Sequence, residues 1–185
     1  MIRKYELTNE SIIVNDNILY RIRALRFFGD VRFDDLGGYV ESEANLSHEG
    51  TCWIYNSANV YGAALVSEDS EVFGQAQVYG NASVCGSASV YDSARVYDNA
   101  IVCGDTRVYG NAHVFGAAHI SGDTRILDNT QVRGDACISG DAYIWGKIKL
   151  DSGIWNKIVK INNNWYVLST TLEKILMGRL NEEKI

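Results

Sequence analysis

Proline is missing altogether from this 185-residue sequence, so no backbone N–H is lost to a ring and none of the kinks that proline imposes is present. Long apolar runs are missing too. None approaches the roughly 18 residues of a membrane span, and Met1 to Leu7 lacks the apolar stretch of a signal peptide. The expectation is a cytoplasmic protein with no membrane contact. Basic charge is in short supply: 17 Lys and Arg stand against 23 Asp and Glu, for a net charge of −6 and a pI near 5.0. That removes the basic footprint of direct nucleic-acid binding. Cysteine is sparse, with Cys52, Cys85, Cys103 and Cys137 far apart and no C-x-x-C pair, so neither a zinc site nor a redox motif is suggested and no metal is expected. What is present reads as globular: 46% of residues are apolar, 22% are charged, and eleven are tyrosine.

A repeat of six residues organises the middle of the chain. Stepping by six from Ile54 meets Val60, Val66, Val72, Val78, Val84, Val90, Val96, Val102, Val108, Val114, Ile120, Ile126, Val132, Ile138, Ile144 and Leu150, an unbroken series of branched aliphatics. Two residues before each of these up to Ile144 sits a small one, mostly Ala, and two after sits mostly Gly, otherwise Asp, Glu or Asn. The unit is Ala76-Gln-Val-Tyr-Gly-Asn81. A small residue and a Val two apart share one face of a short strand. Gly followed by Asn or Asp supplies a bend at positions that tolerate positive φ. A helix is excluded, because a Gly in most hexads breaks any 3.6-residue pattern.

A second period sits on the first. The residue after each aliphatic, taken every third hexad, gives Tyr55, Phe73, Tyr91, Tyr109, Leu127, Trp145; then Tyr61, Tyr79, Tyr97, Phe115, Arg133, Asp151; then Ser67, Cys85, Cys103, Ser121, Ser139. Two sets are largely aromatic and one is small. The structural repeat is therefore eighteen residues: three strands, three corners, a triangular coil. Residues eighteen apart stack at about 4.8 Å, so five to six coils make a prism roughly 25 Å tall. The fold class is all-β, a three-sided parallel coil.

With Val78 and Ala82, or Val84 and Ala88, each aliphatic followed four positions later by a small residue, the chain resembles the hexapeptide-repeat superfamily of left-handed parallel β-helices. The left hand comes from that resemblance; spacing alone gives only the three-sided coil. The Tyr, Phe, Cys or Ser after each aliphatic departs from the family, which often has Gly or Asp there. Upstream, Leu36-Gly37-Gly38-Tyr39-Val40-Glu41, Leu46-Ser47 and Cys52-Trp53-Ile54-Tyr55 look like the leader of a narrower group, the YdcK-like proteins of bacteria and prophages, labelled as acyltransferases. The resemblance implies a homotrimer and, for the enzymes, acyl-CoA as co-substrate with a His as general base beside a loop extruded from the coil.

Three segments are expected: an N-terminal β cap over residues 1–50, the β-helix over 51–152, and a hairpin with a short helix over 153–185. In the cap, Ile12 to Val14 and Ile18 to Ile22 flank Asn15-Asp16-Asn17 as a hairpin, and Gly37-Gly38 marks a turn. Lys157 to Ser169 forms a second hairpin around Asn162 to Asn164. Thr170-x-x-Glu173 is a capping box opening a helix with an apolar stripe of Leu172, Ile175, Leu176 and Leu180. Both ends serve to cover the open coil.

Four groups of residues are candidates for function. His113 and His119 precede inward aliphatics and so point outward from adjacent faces; either is the base of an acyltransferase if the chain is an enzyme. No hexad is interrupted, however, so the coil has no loop of its own to enclose acyl-CoA, and the leading expectation is a protein without catalytic residues or cofactor. Phe73, Tyr79, Tyr91, Tyr97, Tyr109 and Phe115 form ladders that serve as an oligomer interface, in-chain stacking or a binding platform. Asp69, Asp105, Asp123 and Asp141 line one corner, where they serve the turn, hold a cation or imitate phosphates; Arg107 and Arg125 stack beside them and pair with these acids or hold an anion. Cys85 and Cys103 are stacked neighbours, expected as reduced thiols. The reading is a trimeric β-helical binding or scaffold protein of phage or prophage context, acting on a host or defence protein, with the acyltransferase as its alternative.

Overall fold

The computed structural model describes residues 2–161 and 164–169. Residues 5–14 (β1) and 17–24 (β2) pair antiparallel, and 36–40 (β3) adds to β2. Then come seventeen strands of two residues each, one starting every six residues from β4 (Trp53–Ile54) and β5 (Asn59–Val60) through β13 (Arg107–Val108) and β16 (Arg125–Ile126) to β20 (Lys149–Leu150), before a hairpin of β21 (Ile154–Ile161) and β22 (Asn164–Ser169).

The short strands stack in parallel at a spacing of eighteen residues, as Arg95 on Gln77 and His113 on Arg95. They form three faces. The first is β4, β7, β10, β13, β16 and β19; the second carries β5, β8, β11, β14, β17 and β20; the third carries β6, β9, β12, β15 and β18. This is a parallel β-solenoid of about six turns, consistent with the left-handed β-helix. All seventeen aliphatics point inward: each is fully buried except Leu150, at 5% exposure. Alanines from Ala58 to Ala142 fill the small slots beside them. Where a hydroxyl takes that slot it is satisfied: Ser70, Thr106 and Thr124 each donate to the carbonyl three residues back at 2.7 Å.

The corners explain their own composition. Gly86 has φ +68°, and a Cβ there would sit 2.7 Å from the backbone N of Gly104 on the next coil. Where Asp92, Asp98 and Asp128 take the corner instead, at φ near 60°, each carboxylate accepts the N–H of the glycine above it, Gly110, Gly116 and Gly146, at 3.1–3.2 Å. Alternate N–H groups along the coil donate to the next coil, as Gln77 to Ala94, Tyr79 to Val96 and Asn81 to Asp98, a ladder in which proline has no place.

At the N-terminal end, Asn15 and Asp16, both at positive φ, make the two-residue turn between β1 and β2. The expected turn at Gly37-Gly38 is a strand instead. β3 runs through both glycines and pairs parallel with β5, which continues the second face upstream. A Cβ on Gly38 would lie 2.5 Å from the Ala58 carbonyl oxygen and from Ile54, and one on Gly37 would lie 2.6 Å from Ile22. These glycines are required for close approach of cap to coil. Leu46 bridges Val66 at a spacing of twenty residues, so two extra residues lie in this first turn. Beneath the cap, fully buried Lys4 donates from Nζ to the Cys52 carbonyl at 2.9 Å and the Glu49 carbonyl at 3.3 Å. At the other end β21 pairs parallel with β18 and antiparallel with β22, three residues longer at its start than the expected hairpin. The expected helix from Thr170 lies outside the described residues.

Candidate functional site

Alternation along each strand sends the residues on either side of an inward aliphatic outward. His113 thus stands on the second face, between Arg95 and Gln131, with the Tyr97 ring edge-on at 6.1 Å. Burial, and then the Arg95 charge, hold its imidazole below the ordinary histidine range. His119 stands on the third face between Ile101 and Cys137, its Nε2 3.8 Å from Cys103 Sγ. Burial pushes that thiol up, away from thiolate character. The two histidines belong to different sheets. Among the described residues neither makes an ion pair with a carboxylate that could orient it as a base. His48, the third, is structural: its Nδ1 accepts the Lys4 backbone N–H at 3.2 Å and its ring stacks on Tyr5 at 4.4 Å.

The ladders form within the chain. Tyr61, Tyr79, Tyr97 and Phe115 stack on the second face with centroids 4.8–5.0 Å apart and planes within 5°. Phe73, Tyr91 and Tyr109 do the same on the first, at 4.7 and 4.8 Å. This spacing is that of the strands. Stacking covers ring faces with ring faces and leaves edges and hydroxyls outward, so each ladder presents a half-buried polar ridge. The cap caps one of them: Asn15 Nδ2 donates to the Tyr61 hydroxyl at 3.0 Å. Larger exposed apolar groups lie elsewhere, at Ile13, Ile18, Phe27 and Phe33 of the cap, which no repeat-based reading could locate.

The acidic corner divides. Asp69 is occupied, accepting from the Thr51 N–H and hydroxyl at 3.0 and 2.9 Å, and those bonds hold its carboxyl below the usual range. Asp105, Asp123 and Asp141 are exposed. Of the expected pairings with the stacked arginines only Arg125 to Asp123 occurs, at 3.8 Å. No group of three His, Cys, Asp or Glu side chains able to hold a metal is found among the described residues. All four cysteines are free.

Two hollows were not visible in the sequence. A polar groove of about 320 Å³ on the second face is lined by Ser57, Asn59, Gln75, Gln77, Ser93 and Arg95. A second, of about 240 Å³, lies where Tyr55 donates its hydroxyl to Asp30 at 2.8 Å and to Glu71 at 3.4 Å. Burial, then the Asp30 charge, raise the Glu71 carboxyl above its ordinary range. Asp30 comes from irregular chain in the cap, so only tertiary structure joins it to the coil.

Comparison with known proteins agrees with the fold. Residues 76–92 and 94–110 match the family described as YdcK beta solenoid repeat. An 81-residue stretch is 35% identical to a protein of Escherichia coli (strain K12) named "Uncharacterized acetyltransferase YdcK", covering 39% of this chain and 25% of that protein. The chain thus spans about a quarter of the length of the curated relative that it matches. No helix among the described residues is long and apolar enough to cross a membrane.

Proposed function

We propose that this protein is a non-catalytic binding or scaffold element that works through the outer faces of its prism. In this reading it acts in the cytoplasm as a homotrimer and engages a host or defence protein in a phage or prophage setting. The observation that carries it is the separation of the two outward histidines onto different faces of an uninterrupted coil, each without a carboxylate partner among the described residues. An acyl-CoA enzyme must hold a long ligand beside a base and exclude water around the transferred group. Seventeen consecutive strands with four-residue corners offer no enclosure within the coil.

The second reading is an acyltransferase with His113 or His119 as base at a subunit cleft. It is favoured by the name of the Escherichia coli relative. One experiment separates the two: incubation with acetyl-CoA and a broad panel of acceptors, following release of free CoA. No turnover is expected. Turnover that vanishes in His113→Ala or His119→Ala, with the fold retained, would establish the second reading in place of the first.

A further inference from the structure

We infer that Arg107 and Arg125 on the first face form a binding site for a compact phosphate-bearing anion. The two residues are direct cross-strand partners in the parallel ladder of β13 and β16, so their side chains leave the same face one strand spacing apart. Like charges placed opposite each other destabilise a sheet. Four arginines elsewhere have carboxylate partners, Arg3 with Glu43 at 2.9 Å, Arg21 with Glu10 at 2.8 Å, Arg23 with Glu6, and Arg133 with Asp151, whereas Arg26, Arg32 and Arg95 have none among the described residues. Arg107 is exposed and has no ion pair among the described residues. Arg125 has only Asp123, at 3.8 Å, and its Nε is shielded from solvent with no hydrogen-bond partner.

The surroundings add donors. Tyr91 and Tyr109 stack on the same face with ring centroids 4.8 Å apart. Tyr143 follows Arg125 in the same ladder, and burial together with a hydrogen bond to Tyr143 pushes the Tyr109 hydroxyl up to about 12. Two forked guanidiniums and a row of protonated phenols are suited to tetrahedral oxyanions, which guanidinium binds bidentately. Size is limited by charge. Asp105, Asp123 and Asp141 run along the adjacent corner, and the chain carries a net charge of −6. A long polyanion such as nucleic acid would lie against those carboxylates, whereas one phosphate or pyrophosphate group fits over the arginines alone. The site is independent of the scaffold reading, since it needs neither a subunit interface nor a protein partner.

The test uses pyrophosphate and inorganic phosphate, each titrated at constant ionic strength against chloride, with binding followed by calorimetry and by melting temperature. Pyrophosphate is expected to bind saturably and to raise the melting temperature. Arg107→Gln and Arg125→Gln should each weaken binding at least tenfold, and Arg95→Gln, on another face, should leave it unchanged. The double Arg→Lys variant should keep weak binding. Without the anion, Arg107→Gln should be at least as stable as the original protein, because it relieves repulsion, so its effect on melting temperature reverses when pyrophosphate is added. Absence of saturable binding, or binding undiminished in the double Arg→Gln variant, overturns the site.

Discussion

At the scale of the residue, the interior of the coil leaves no room for charge. Val96 is fully buried between Val78 and Val114 in its column, with Ala94 and Ala100 also buried beside it. Val96→Asp would place an unpaired carboxylate in that interior, at a cost of several kcal/mol. The expected outcome is an unfolded or aggregated protein by circular dichroism; a soluble variant with an unchanged melting temperature would show the register to be wrong. The corners make a subtler claim. Asp98 sits at φ +59° and its carboxylate accepts the Gly116 N–H. Asp98→Gly keeps the backbone geometry and loses one exposed hydrogen bond. Asp98→Val adds a β-branched side chain in a left-handed conformation, worth roughly 1–2 kcal/mol. Urea denaturation should rank the valine variant well below the glycine one.

At the scale of the element, the ladders and the cap joint carry separable weights. Tyr97 stacks on both Tyr79 and Phe115, and each stacked pair contributes about 0.5–1.5 kcal/mol beyond burial. Tyr97→Ser should therefore destabilise the protein by about 1–3 kcal/mol in urea. If the ladder is also a subunit interface, replacing Tyr79 and Tyr97 together with Ser should in addition shift the mass seen by light scattering towards the monomer. A loss of stability without a change of mass assigns the ladder to in-chain packing. Gly38→Val tests the joint between β3 and the coil. The added side chain meets the Ala58 carbonyl oxygen and Ile54, so the cap should lift, and protection from hydrogen exchange should fall across β1 to β3 first.

At the scale of the whole molecule, acidification should loosen the fold. Burial holds His48 and His113 below the ordinary histidine range. The unfolded chain takes up these protons near pH 6.5, the folded chain only at lower pH. Between those points the unfolded state binds more protons, and stability falls as pH falls. Glu71 works the other way: its carboxyl is raised, so the folded state gains stability as pH falls towards the ordinary glutamate range. With two groups against one, the melting temperature should drop between about pH 7 and pH 5.5. His48→Gln should flatten that slope, and an unchanged slope in this variant would remove His48 from the account.

The repeat is fully legible in the sequence, because each strand's inward residue is fixed by local alternation and each corner by its tolerance of positive φ. The aliphatic column from Ile54 to Leu150, the three faces and the two ladders all follow from spacing alone. The upstream turn of the coil was hidden, because Leu46 meets Val66 at a spacing of twenty and Gly37-Gly38 carries the signature of a turn. Candidate chemistry was legible only as columns. Spacing placed Arg107 above Arg125, but whether a carboxylate reaches them depends on side-chain directions at a corner, and those are set by packing. The meeting of Asp30 with Tyr55 and Glu71, and of Lys4 with Cys52, joins residues 25 or more positions apart through irregular chain. A periodic sequence determines its own stacking because every contact repeats; the cap determines nothing locally, so only the folded whole decides what it touches.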